Sequence, residues 1–133
     1  MSAERPLDYL ISLVHELCAL PKETEWVEFK ENNDNPEEIG QYISALANAA
    51  ALQGKAFAYL VWGVRDADHE IVGTSFDPFA TKVGNEELES WLLRLLEPKI
   101  DYRFFKVPID GKPVVVLEIA RAARHPARFK GQK

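Results

Sequence analysis

Four acidic residues lie on or near two predicted strands, where they could support metal-assisted chemistry. They are Glu23, Glu25, Glu28 and Asp66. Glu28 shares the polar face of its strand with Lys30, and Asp66 follows the end of the apolar run 56–64. Ligands collect at strand ends in sheets that contain parallel strands, so carboxylates meeting there could hold Mg²⁺ or Mn²⁺ and activate water for phosphodiester cleavage. The alternative is solvated surface charge, with Glu28 paired to Lys30 or to a neighbouring strand.

The last quarter of the chain is basic, whereas the rest is acidic. The net charge of −5 combines eight Lys/Arg against 19 Asp/Glu in residues 1–102 with eight against two in residues 103–133. Lysine and arginine neutralise phosphates and release counterions, so this segment predicts contact with a polyanion. A solvated tail is the alternative. The candidate nucleic-acid-binding residues are Arg103, Lys106, Arg121, Arg124, Arg128 and Lys130.

Other kinds of active site lack the residue spacing that they need. The scattered glycines match neither common phosphate-binding motif, so no nucleotide-binding loop is predicted. The three histidines lie far apart and Cys18 is the only cysteine, so zinc-ligand spacing is absent and nucleophilic catalysis has no support. A lone cysteine fits a reducing compartment, and no apolar stretch approaches the length of a membrane span. We therefore expect a cytoplasmic protein without a membrane partner.

The elements that must position these residues follow from hydrophobic periodicity. Helical spacing predicts helices over 7–20, from Pro36 to about Leu52, and over 86–97 with Asn85 as its cap. Strands are predicted in four places: 24–31; 56–64 with a short return at 71–73; 100–109; and 113–119. The step from Asp110 to Gly111 between the last two runs is a strong hairpin signal. The residues after 120 are polar and basic. They show no apolar periodicity, so they are not expected to form a helix or strand by themselves.

These elements predict a mixed α/β, or α+β, fold in the order α-β-α-β-β-α-β-β, with helices packed on a mixed sheet. A chain of 133 residues with 47% apolar and 28% charged residues is long enough for one globular domain and too short for two ordinary ones.

Three groups of residues occur in the order found in a known family. They are Glu23-Thr24-Glu25-Trp26-Val27-Glu28-Phe29-Lys30, Ile43-Ser44-Ala45-Leu46-Ala47-Asn48, and Trp62-Gly63-Val64-Arg65-Asp66 followed by Ile71-Val72-Gly73. Over roughly residues 7–130 the chain resembles the Schlafen/Alba-like domain family (Schlafen AlbA_2, also labelled divergent AAA-4). The resemblance implies an Alba-like mixed sheet and an N-terminal module of longer bacterial proteins. Residues 1–133 are therefore predicted to be a single domain excised from a longer protein.

The resemblance also implies function. It favours a DNA-binding domain of a transcriptional regulator, forming a homodimer and needing no cofactor. In animal Schlafen relatives, three carboxylates form an RNA-cleaving site. Carried over by motif, they fall on Glu23, Glu28 and Asp66, with Lys30 nearby, which makes a ribonuclease dependent on Mg²⁺ or Mn²⁺ the alternative. A third reading is an interaction domain whose acidic body and basic tail recognise each other.

Overall fold

The computed structural model describes residues 5–131, which form three helices and eight strands. The elements, in chain order, are α1 (Leu7–Cys18), β1 (Val27–Lys30), α2 (Pro36–Leu52), β2 (Phe57–Trp62), β3 (Lys82–Val83), β4 (Glu86–Glu87), α3 (Leu88–Leu95), β5 (Leu96–Glu97), β6 (Tyr102–Ile109), β7 (Lys112–Ala120) and β8 (Arg128–Phe129). This confirms the predicted α+β fold. None of the helices in this part of the chain is long and apolar enough to cross a membrane.

The central sheet has the strand order β1-β2-β7-β6. β1 and β2 are parallel and are joined by α2, whereas β7 runs antiparallel to both β2 and β6. The turn between β6 and β7 has positive φ at both Asp110 (50°) and Gly111 (76°). That backbone matches the twist of a two-residue hairpin, as the Asp-Gly step predicted.

The sheet carries apolar side chains on both faces, and helices cover each face. α2 and α3 pack on the face that includes Leu60 and Trp62, while α1 packs on the face that includes Val61. From Ala58 to Trp62, β2 is buried throughout. Burial on both sides agrees with the continuous apolar run over 56–64.

Local sequence sets the ends of α2. The side chain of Asn35 accepts a hydrogen bond from the Glu38 amide (3.1 Å), and Pro36 occupies the first turn, where no backbone donor is needed. Gly54 follows the helix with a φ of 68°, a conformation that glycine adopts at little cost. The helix therefore begins and ends where the sequence predicted.

Two predicted elements were wrong. Asn85 does not cap a helix over 86–97, because Glu86–Glu87 pair with Lys82–Val83 across a turn at Gly84. The helix at Leu88–Leu95 is shorter, since Leu96–Glu97 pair with β8, a partner that hydrophobic periodicity does not reveal. The predicted strand over 71–73 is reduced to a single bridge between Val64 and Ile71.

Candidate functional site

One group of predicted site residues lies where the parallel strands β1 and β2 end. Glu28 is opposite Leu60 and Lys30 is opposite Trp62 in the parallel register. Because side chains alternate along a strand, Glu28 and Lys30 project to the face covered by α2. β1 is the first strand of the sheet, so this pair lies at a sheet edge.

Lys30 contacts both β1 and α2. Its Nζ lies 3.7 Å from Oε2 of Glu28 and 4.8 Å from the centre of the Tyr42 ring. A hydrogen bond to Tyr42 raises the pKa of Lys30, and the Glu28 and Asp66 carboxylates add to the rise. The sequence analysis missed Tyr42. The sequence signal for Tyr42 was weak: it is an aromatic residue beside the apolar stripe of α2, the helix that follows the strand with Glu28.

Glu28 and Asp66 also influence each other. Burial raises the pKa of the Glu28 carboxyl; Lys30 opposes this rise, and the negative charge of Asp66 reinforces it. Asp66 itself lies in the exposed turn after β2. The guanidinium of the neighbouring Arg65 forms ion pairs with Asp68 (3.0 Å) and Glu70 (3.2 Å). The negative charge of Asp66 therefore acts on both Glu28 and Lys30.

Glu23 lies in an exposed turn before β1. Between residues 5 and 131, no three or more Asp, Glu, His or Cys side chains come together in a way that could hold a metal ion. Glu28 and Asp66 supply the hard oxygen donors that Mg²⁺ prefers, but as arranged these residues do not fit a three-carboxylate metal cluster. The assignment of Glu23, Glu28 and Asp66 stays a prediction.

The second candidate region, residues 121–131, is folded and is named here the basic strap. The Ala122 amide donates to the Ala47 carbonyl (3.0 Å). Asn48 bonds both backbone groups of Ala127: Oδ1 accepts from its N–H (2.7 Å) and Nδ2 donates to its C=O (3.1 Å). The strap therefore does not behave as the unfolded tail that its polar sequence indicated.

The far end of the strap is anchored at the start of α2. Phe129 is buried against Trp91, with ring centres 5.6 Å apart. A Cβ at Gly40 would lie 2.2 Å from the Phe129 ring, so only glycine leaves room for it. Lys130 forms an ion pair with Glu37 and lies 5.6 Å from the centre of the Trp91 ring. Contacts that pass from Ala47 and Asn48 to Gly40 and Glu37 show that the strap runs antiparallel to α2.

The structure divides the predicted basic residues into two groups. Arg103 lies in β6 opposite the buried Glu118, and Lys106, also in β6, pairs with Asp77 (2.9 Å). The strap carries the other four, of which Lys130 is paired with Glu37 as described. The remaining three side chains are exposed on the strap: Arg121, Arg124 and Arg128.

Asn48 is the residue that sequence reasoning undervalued. It was noted only as the end of a motif in α2, yet it bonds a residue 79 positions later. The available signal was an amide side chain beside the apolar stripe of the predicted helix, since such a group needs a hydrogen-bond partner where it is buried.

Comparison with known proteins agrees with this architecture. The sequence profile of the family described as "Schlafen, AlbA_2" matches residues 23–133, most of the chain. The chain belongs to the Schlafen AlbA_2 family. Among curated proteins no match was found.

A similar solved structure is the N-terminal domain of a RecG-related protein from Nitrosomonas europaea, determined by solution NMR, whose name relates it to ATP-dependent DNA helicases. The two are 20% identical with a TM-score of 0.61, and the match covers 98% of this chain and 84% of the other. At that identity the similarity establishes a shared fold. The Schlafen AlbA_2 match begins after α1, so α1 lies outside the matched residues.

Proposed function

We propose that this Schlafen AlbA_2 domain binds nucleic acid through the basic strap. The observation that carries the proposal is the exposure of Arg121, Arg124 and Arg128 on a segment held against α2. Anchoring matters because a fixed segment loses less conformational entropy on binding than a free tail does. The similarity to a domain of a helicase-related protein supports the same class of ligand. Within this class we propose DNA as the ligand and a transcriptional regulator as the whole protein.

The proposal is tested by the salt dependence of binding. Affinity for a labelled duplex is measured from low to moderate salt for the wild type and for a triple arginine-to-glutamine variant of the strap. Each lost phosphate contact reduces the log–log slope by about 0.9, so the triple variant should lose about three units of slope.

A matched variant removes the same charge elsewhere. It changes three exposed basic side chains that already contact other groups of the protein: Arg65→Gln, Arg94→Gln and Lys99→Gln. This control should retain most of the wild-type slope. Equal losses in the two triple variants would show that net charge, rather than the strap, governs binding.

A second candidate function is RNA cleavage, which the contact between Lys30 and Glu28 (3.7 Å) and the effect of the Asp66 charge on both residues support. Lys30 would stabilise the phosphate charge that develops during cleavage. The test incubates labelled RNA with the wild type and a Glu28→Gln variant, with and without Mn²⁺. Cleavage that is equal in both proteins would assign the activity to a contaminant. A homodimer, also proposed, is tested by light scattering of the free and DNA-bound protein.

A further inference from the structure

The half-buried Trp26, which precedes β1, lies near the end of α2, where the strap begins. The Arg121 amide donates to the Ala56 carbonyl (3.0 Å), which brings the first arginine of the strap beside Lys55 and Ala56. The Lys55 ammonium lies 5.0 Å from the centre of the Trp26 ring. The strap and Trp26 therefore meet at one corner of the domain.

Trp26 differs from the other two tryptophans. Trp62 and Trp91 are buried, whereas Trp26 is half-buried. Its ring is supported by Tyr59, with the ring centres 6.4 Å apart. The contact between Lys55 and the Trp26 ring is an exposed cation–π contact, which is weak. Lys55 can therefore leave the ring to contact a phosphate, and the ring face that it uncovers can stack on another flat ring.

The charges around Trp26 favour a base over a phosphate at this position. Glu25, the residue before Trp26, is exposed and accepts a hydrogen bond from Gln53 (2.8 Å), whose amide does not neutralise its charge. This carboxylate would repel a phosphate that approached the ring. The arginines of the strap provide the phosphate contacts, so the ring is left to contact a base.

We propose that Trp26 is a stacking platform for an unpaired base, and that the ligand class of the strap is therefore single-stranded nucleic acid. The proposal rests on the proposed function and deepens it. In a duplex the faces of the bases are stacked on one another and are not available to Trp26. An unpaired strand presents its bases to aromatic side chains while its phosphates follow a basic surface.

The test compares single-stranded DNA, single-stranded RNA and a matched duplex, each labelled for fluorescence anisotropy, with the full chain. Trp26→Ala should weaken binding of the unpaired strands about 5- to 100-fold and leave duplex binding within about threefold, because stacking on an aromatic ring contributes only where a base is exposed. Trp26→Tyr keeps a ring and should retain most of the affinity, with thermal melting to show that both variants fold. The DNA and RNA arms show which sugar the site accepts.

Two outcomes separate this proposal from the one on which it rests. If the wild type binds the duplex or the single strands, but Trp26→Ala changes both alike or neither, the stacking platform is wrong and binding by the strap stands. If the wild type binds none of the three oligonucleotides at low salt, the proposed function and the stacking platform are both wrong. A folded Trp26→Tyr variant that loses as much affinity as Trp26→Ala would also overturn stacking.

Discussion

The attachment of the strap to α2 predicts a measurable consequence of losing one side chain, that of Asn48. Asn48→Ala removes two hydrogen bonds to the backbone of Ala127, of 2.7 and 3.1 Å. Ala127 is fully buried. Each such bond contributes about 1 kcal/mol net, and a buried backbone group left without a partner costs about as much again. We therefore expect the free energy of unfolding to fall by about 2 kcal/mol or more.

For a chain of 133 residues, about 2 kcal/mol corresponds to a fall in Tm of about 7 °C. The loss also has a location. If the strap opens locally, water satisfies Ala127 and the rest of the domain stays folded, so amide exchange should accelerate most in the strap. The informative amides are those of Ala122, Ala127 and Lys130, which donate to Ala47, Asn48 and Leu95.

The measurement is hydrogen exchange of the native protein combined with thermal melting. Gln41→Ala is the matched control, because Gln41 is exposed on the same helix and its replacement should leave both readouts unchanged. Unchanged protection of the strap amides in Asn48→Ala would refute the reasoning, since it would mean that Asn48 does not hold the strap.

Three further changes test other parts of the structure. Gly40→Ala should lower the free energy of unfolding by about 1–3 kcal/mol in denaturant titration, because its Cβ displaces the Phe129 ring by more than the gain in helix propensity offsets. Burial raises the pKa of Glu28, so the folded state holds that proton more tightly and its stability falls as pH rises through the raised pKa. Glu28→Gln should therefore raise the Tm at neutral pH and lose this advantage below the ordinary glutamate pKa; a constant difference at every pH would contradict the assignment. Lys106→Ala breaks an exposed ion pair with Asp77 and should change stability by less than about 1 kcal/mol, and a larger loss in the same titration would show that the pair is structural.

Sequence alone predicted the parts of the fold that depend on neighbouring residues. The β6–β7 hairpin follows from Asp110-Gly111, and α2 follows from Asn35, Pro36 and Gly54, because turns and caps are specified within a few positions. That Glu28 and Lys30 share one face of β1 also followed from alternation along a strand. The family resemblance drawn from the motifs was confirmed by the match over residues 23–133.

The strap could not be predicted in this way. Its contacts join residues that are 31 to 93 positions apart, and its own sequence has no apolar period. The packing of Phe129 over Gly40 and the two hydrogen bonds of Asn48 are among the contacts that order it. The same lack of local signal hid the pairing of β5 with β8, which shortened the helix predicted over 86–97.

The position of Phe129 over Gly40 has a consequence for synthesis of the chain. The two residues are 89 positions apart in sequence, so α2 leaves the ribosome long before the ring that completes its packing. At a translation rate of about 5–20 residues per second, that interval lasts roughly 4 to 18 s. During it, the apolar side of α2 lacks the aromatic ring that later covers it, and the nascent chain is open to wrong contacts. Once the strap has been synthesised, Phe129 packs at Gly40 and covers this apolar surface.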